Sequence, residues 1–149
     1  MIFGTIEGKP WVEALPTKHG TPFTGRTFSR VQIVGDRKSI PTIGEIWATS
    51  DHAVEQHVHD SDEMFYILSG AIEINGRRLG ANDAVFIPRG TSYSARVLAD
   101  EGSHVLRIEF PNANTIEEEP EYSASVWTGP LTAEGAPDLD ANPVKGIPT

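Results

Sequence analysis

The run Gln56-His57-Val58-His59-Asp60-Ser61-Asp62-Glu63-Met64-Phe65-Tyr66-Ile67-Leu68-Ser69-Gly70 holds the residue types best suited to chemistry in this chain. Side chains two apart on a β-strand share a face, so His57 and His59 project side by side while Val58 faces the other way. Asp60-Ser61-Asp62 is a polar, turn-forming break, after which Glu63 opens an apolar strand and shares its face with Phe65 and Ile67. If that strand folds back beside the first, Glu63 lies next to both imidazoles on an inner surface. Two neutral nitrogens and one carboxylate form a three-sided set that binds one divalent transition metal and leaves positions open for water, O₂ or substrate. The competing reading is a pair of exposed imidazoles and a solvated glutamate. The apolar neighbours of Glu63 oppose it, because an unpaired carboxylate in a buried barrel is costly.

Such a set needs a frame, and the surrounding pattern is that of β-strands. From Thr27 to Phe110, short segments rich in Val, Ile, Phe and Tyr alternate with turn residues, as in an all-β sandwich or barrel. The pattern predicts strands near 28–34, 43–49, 54–59, 63–68, 71–74, 78–80, 84–87, 92–98 and 103–110. Asn75-Gly76, between Ile72-Glu73-Ile74 and Arg78-Leu79, is suited to a type I′ hairpin turn. Residues 1–26 read as an extended arm with one short strand and isolated apolar anchors such as Phe3, Trp11 and Phe23. Residues 111–149 carry six of the 11 prolines and the solvated run Glu117-Glu118-Glu119, and read as a second arm docked through Trp127. Helical periodicity is absent.

Composition narrows the function. With 149 residues and no cysteine, the chain supports one core without disulfides, and any metal must be held by His and carboxylate. Twelve Lys+Arg against 21 Asp+Glu give a net charge of −9, which opposes nucleic acid as a partner. No apolar run approaches the roughly 18 residues of a membrane span, and Met1-Ile2-Phe3-Gly4 does not open a signal peptide, so a cytoplasmic location is expected.

At these residues the sequence resembles the cupin superfamily. The first cupin motif, His-x-His, three or four residues, Glu, six residues, Gly, is matched at every spacing by His57, His59, Glu63 and Gly70. The second, Gly, five residues, Pro-x-Gly, two residues, His, corresponds to the stretch from Asn82 to Tyr93, in which Pro88 and Gly90 match. Asn82 replaces the usual Gly, a mild change because Asn tolerates the left-handed conformation. Tyr93 takes the position of the fourth ligand. The resemblance covers about residues 43 to 110 and implies a single antiparallel, jelly-roll-like β-barrel with an arm at each end. It further implies a divalent metal held by His57, His59 and Glu63, with Fe(II) favoured and Zn(II), Mn(II) or Ni(II) as alternatives. Gly70 would make the turn after the metal-bearing strand. A phenol is a poorer neutral ligand than imidazole, so Tyr93 is expected to stand off the metal and exchange a proton with substrate; direct ligation and simple packing are the alternatives.

The activity implied is that of a metal-dependent dioxygenase acting on a small, oxygen-chelating organic substrate. The same cage with a non-redox metal implies an isomerase, lyase or cyclase, and a cavity without chemistry implies a small-molecule-binding cupin. His104, taken with Leu106, Ile108 and Phe110 as the core-directed face of the last strand, reads as a hydrogen-bonded histidine at a strand end, with entry into the cavity as a replacement ligand the alternative. His19 and His52 are expected to be exposed. Of Arg30, Arg89, Arg96 and Arg107, one at the barrel mouth could hold a carboxylate or enolate, although strand arginines more often face outward. Met64, Tyr66 and Leu68 form an outward apolar stripe whose cover is an arm or a second subunit, and a homodimer is expected.

Overall fold

The computed structural model describes residues 1–18, 20–115 and 123–141; His19, Glu117-Glu118-Glu119 and the last eight residues lie outside them. The strands are β1 (Val12–Leu15), β2 (Phe23–Thr24), β3 (Thr27–Ile33), β4 (Thr42–Ala48), β5 (Ala53–His57), β6 (Glu63–Ser69), β7 (Ala71–Ile74), β8 (Arg77–Gly80), β9 (Ala84–Ile87), β10 (Tyr93–Val97), β11 (Ser103–Glu109) and β12 (Ser123–Val126). They form a seven-stranded sheet in the order β12-β1-β3-β4-β11-β6-β9 and a five-stranded sheet in the order β2-β5-β10-β7-β8. Every pairing is antiparallel, as the all-β reading expects. Among the described residues no helix is long and apolar enough to cross a membrane.

The inner faces of the two sheets meet in one core, to which Phe65 and Ile67 of β6, Ile72 and Ile74 of β7, Val97 of β10 and Val105 of β11 contribute. Alternation places Glu63 on this same face, ahead of Phe65 and Ile67, and leaves Met64 and Tyr66 half-buried and Leu68 40% exposed on the other. The turns follow the sequence. Asn75 and Gly76 have φ of 48° and 82°, the two positive values a type I′ turn requires, and Asn82 sits at φ 69°. Gly70 carries the chain from the larger sheet into the smaller at φ 81°, where a Cβ would collide with the Gly102 carbonyl and the Ser103 hydroxyl.

Both terminal segments add strands. β1 pairs with β3 on one side and β12 on the other, and the short β2 pairs with β5, so the N-terminal segment supplies two strands where one was expected. Trp11, 2% exposed, donates from Nε1 to the Gly135 carbonyl at 2.8 Å, while Trp127 stacks edge-on to the buried Phe28 at 5.7 Å. Burying Trp11 contributes about 1.5–3 kcal/mol, and the half-buried Trp127 adds less; together they hold these segments on the outer face of the larger sheet.

Gly70 and Gly76 provide a paired test of this frame. Gly76→Ala faces open space and is expected to lose about 1 kcal/mol from its positive φ alone; Gly70→Ala adds a collision and is expected to lose more than about 2 kcal/mol. Urea denaturation of the two variants checks this, and equal losses would mean the Gly70 crossing is not tightly packed.

Candidate functional site

A cavity of about 260 Å³ opens between the sheets, walled by apolar side chains including Ile46, Val54, Phe65, Ile72, Val97 and Val105. His57, His59, Tyr93 and Arg107 supply its polar wall. β5 brings His57 there through a bulge. Tyr93 stands opposite His57 and Ala95 opposite Val54, so three steps on β5 match two on β10. The extra residue shifts the alternation and lets Val54 and His57 face the same cavity. The strand expected to run through 59 ends at His57, and His59 reaches the cavity from the loop that follows. That loop is fixed from the other side: the His59 carbonyl accepts from the Gly90 amide at 2.8 Å, and Asp62 accepts from the Arg89 amide at 2.7 Å.

The ring atoms are oriented as well. His57 Nδ1 lies 2.7 Å from the Glu55 carbonyl oxygen, which can only accept, so Nδ1 carries a proton and the tautomer selected is the one with its lone pair on Nε2. The His57 ring centroid is 4.9 Å from that of His59 and 4.4 Å from that of Tyr93.

Glu63, at the head of β6, has a side chain only 1% exposed. Its two oxygens have different surroundings. Oε2 accepts from Arg107 Nε at 3.1 Å and from the Tyr93 hydroxyl at 3.2 Å. Oε1 lies 3.4 Å from His59 Nε2 and has no hydrogen-bond partner among the described residues. Arg107 also donates from Nη2 to Glu109 at 3.0 Å, and Glu109 approaches Arg37 at 3.8 Å. Burial works against the Arg107 charge, but Glu63 and Glu109 outweigh it and raise the guanidinium above its ordinary pKa. Tyr93 is 4% exposed; burial, reinforced by the Glu63 charge, pushes its phenol well above the usual tyrosine range, so it remains a proton donor.

Three expectations need correction. On β11 it is Ser103, Val105 and Arg107 that line the cavity, whereas His104 lies on the opposite face with Leu106. There His104 Nε2 meets Glu45 at 3.0 Å and its ring packs against Trp11 and Trp47 at 6.0 and 6.4 Å. The polar Ser103 and Arg107 face the cavity while the outer side packs against aromatic rings, which reverses the parity that a polar-out, apolar-in pattern would suggest. His52, expected to be exposed, borders the cavity with its ring 5.7 Å from Phe23 and its Nδ1 2.9 Å from the Thr24 carbonyl, and burial lowers its pKa. Arg107 is the cation at the site, and its identity was not resolved among the four arginines; the structure places it across from the core residue Phe65. Arg96 also borders the cavity but is 58% exposed and pairs with Glu73 at 3.0 Å.

No protein-family model matches the chain, and no curated protein matches it. Solved structures do. A predicted oxalate decarboxylase from Thermotoga maritima aligns at TM-score 0.59 and 18% identity, over 74% of this chain and 99% of that one. The polyketide cyclase RemF from Streptomyces resistomycificus aligns at 0.55 and 20%, over 73% and 78%. An RmlC-like cupin from Shewanella frigidimarina aligns at 0.50 and 17%, over 67% and 92%. The chain has the cupin fold. At such identities the likeness speaks for architecture, and the activities belong to those proteins.

Within this fold, the donor atoms expected to hold a metal are only partly gathered. Among the described residues no group of three His, Cys, Asp or Glu side chains is arranged to hold an ion. The atoms nonetheless suit one. Glu63 Oε1 is a buried carboxylate oxygen without a hydrogen bond, and His57 presents its lone pair on Nε2. The 3.4 Å between His59 Nε2 and Glu63 Oε1 falls within the roughly 3.0–3.4 Å separating two ligands bound at about 2.1 Å to one ion.

The pairing of Glu63 with Arg107 is open to a double-mutant cycle. In metal-free protein, Arg107→Met is expected to cost about 3–5 kcal/mol by leaving a buried carboxylate uncompensated, and adding Glu63→Gln is expected to recover part of that loss. Chemical denaturation measures the four corners, and strictly additive losses would contradict a coupled pair.

Proposed function

We propose that this cupin is a metal-dependent enzyme acting on a small, mainly apolar organic molecule that presents oxygen atoms to the ion, and that its reaction is a dioxygenation. The observation that carries the reading is Glu63 Oε1, a buried carboxylate oxygen without a hydrogen bond, facing His59 beside an apolar cavity. His57 Nε2, His59 and Glu63 Oε1 would hold the ion. A divalent metal bound there supplies Lewis-acid polarisation of a substrate oxygen and, as Fe(II), the redox capacity to use O₂.

The chain's own residues supply the remainder. The Glu55 carbonyl holds the His57 tautomer that leaves Nε2 unprotonated. The apolar walls exclude water and select a substrate with an apolar body. The Tyr93 hydroxyl, kept protonated by burial and by Glu63, stands 3.2 Å from Oε2 and acts as a proton donor at the edge of the cavity. This protonated phenol also favours a second reading, in which a non-redox metal stabilises an enolate and Tyr93 serves as general acid in an isomerase, lyase or cyclase reaction.

Protein purified without added metal and analysed for metal content, then screened in an oxygen electrode with enol-type substrates, separates the readings. The expected result is about one redox-active ion per chain, lost in His57→Ala and Glu63→Ala, together with substrate-dependent O₂ uptake. Zinc at full occupancy without O₂ uptake favours the non-redox enzyme. No metal, with unchanged thermal stability in Glu63→Ala, favours a non-catalytic binding cupin. Tyr93→Phe is expected to retain the ion and lower kcat by about 10²–10⁴; an unchanged kcat would remove Tyr93 from the chemistry. The expected homodimer would use the stripe at Met64, Tyr66 and Leu68 with the 54% exposed Phe86 beside it on β9, and light scattering on the full chain reads one copy or two.

A further inference from the structure

β11 and β6 pair so that Glu109 stands directly opposite Glu63. Like charges facing each other across neighbouring strands repel, and this pair persists because Arg107 lies between them. Its Nε donates to Glu63 Oε2 at 3.1 Å and its Nη2 to Glu109 Oε2 at 3.0 Å. A single guanidinium fork therefore serves two carboxylates, and Glu109 is in turn approached by Arg37 at 3.8 Å. The charges alternate Glu63, Arg107, Glu109, Arg37 away from the cavity.

We propose that Arg107 competes with a divalent cation for Glu63, and that Glu109 sets the outcome by offering the guanidinium a second carboxylate. This rests on the metal reading of His57, His59 and Glu63. Arg107 occupies one oxygen of Glu63 and leaves the other facing His59, so the guanidinium and an ion share one carboxylate. Each lowers the electron density available to the other, and their positive charges repel across a site with little water. Glu109 relieves this by accepting part of the Arg107 charge. The two residues consequently act on metal affinity with opposite sign: Arg107 weakens it and Glu109 strengthens it. Both are positioning residues, since their effect passes through Glu63.

Isothermal titration of the full chain with Mn(II) alone tests this. Wild-type protein is expected to bind one ion, with binding lost in His57→Ala. Arg107→Gln is expected to bind at least about ten-fold more tightly, and Glu109→Gln at least about three-fold more weakly. Arg107→Lys, which keeps the charge, is expected to return toward the wild-type value. In the Arg107→Gln background the Glu109→Gln effect is expected to shrink, because its mediator is gone; a general surface-charge effect would stay the same size. Should Arg107→Gln fold poorly, Glu109→Gln retains the cation, and equal or tighter binding in that variant overturns the inference. Binding seen only in Arg107→Gln supports the competition in its strongest form. Equal or weaker binding in Arg107→Gln, with His57→Ala still abolishing it, overturns the inference and leaves the metal reading standing. No binding in wild type, Arg107→Gln or Arg107→Lys overturns both.

Discussion

The carboxylate of Glu63 is 1% exposed at the head of an apolar strand, and the site is organised around how its charge is satisfied. A buried carboxylate without compensation is strongly unfavourable, so the fold brings partners to it from several directions. Arg107 comes from β11, the neighbour of β6 in the same sheet; Tyr93 comes from β10 in the facing sheet; His59 comes from the loop between β5 and β6. Arg107 and Tyr93 converge on one oxygen, which leaves the other poorly served. That asymmetry separates a structural carboxylate from one available to a ligand.

The frame turns this asymmetry into a defined geometry. The bulge in β5 turns His57 inward beside Val54, and the Glu55 carbonyl then settles which ring nitrogen is protonated. Hydrogen bonds from the Arg89 and Gly90 amides pin the loop that carries His59. Behind these, Gly70 carries the chain from β6 in one sheet to β7 in the other at a point too tight for any side chain. The terminal segments, anchored through Trp11 and Trp127, pack over Phe28 of β3 and His104 of β11 on the outer face of the larger sheet.

Where the sequence was legible, a local rule was decisive. Asn75-Gly76 demanded a primed turn, Glu63, Phe65 and Ile67 alternated cleanly with Met64, Tyr66 and Leu68, and the β4 to β11 segments lie close to the expected spans. The resemblance to cupins rested on spaced identities, and the fold agrees with it. What could not be read depended on partners distant in sequence. Nothing in Val54-Glu55-Gln56-His57 announces the bulge, which exists only relative to Tyr93 and Ala95. Arg107 was obscured because the polar side chains of β11 face the cavity while its outer side lies beneath Trp11 and Trp47, the reverse of the usual pattern. His52 looked like a loop residue until the pairing of β2 with β5 placed Phe23 against it. Pairwise contact across the sheets, rather than local propensity, determined each of these.

The most direct measurement is anomalous X-ray diffraction from crystals of the protein soaked in Mn(II). The expected result is a single strong peak inside the cavity, within bonding distance of His57 Nε2, His59 and Glu63 Oε1, with Tyr93 and Arg107 still on the far oxygen. No peak there, or one bound only by carboxylates on the outer surface, would contradict the assignment of these three side chains to one cation.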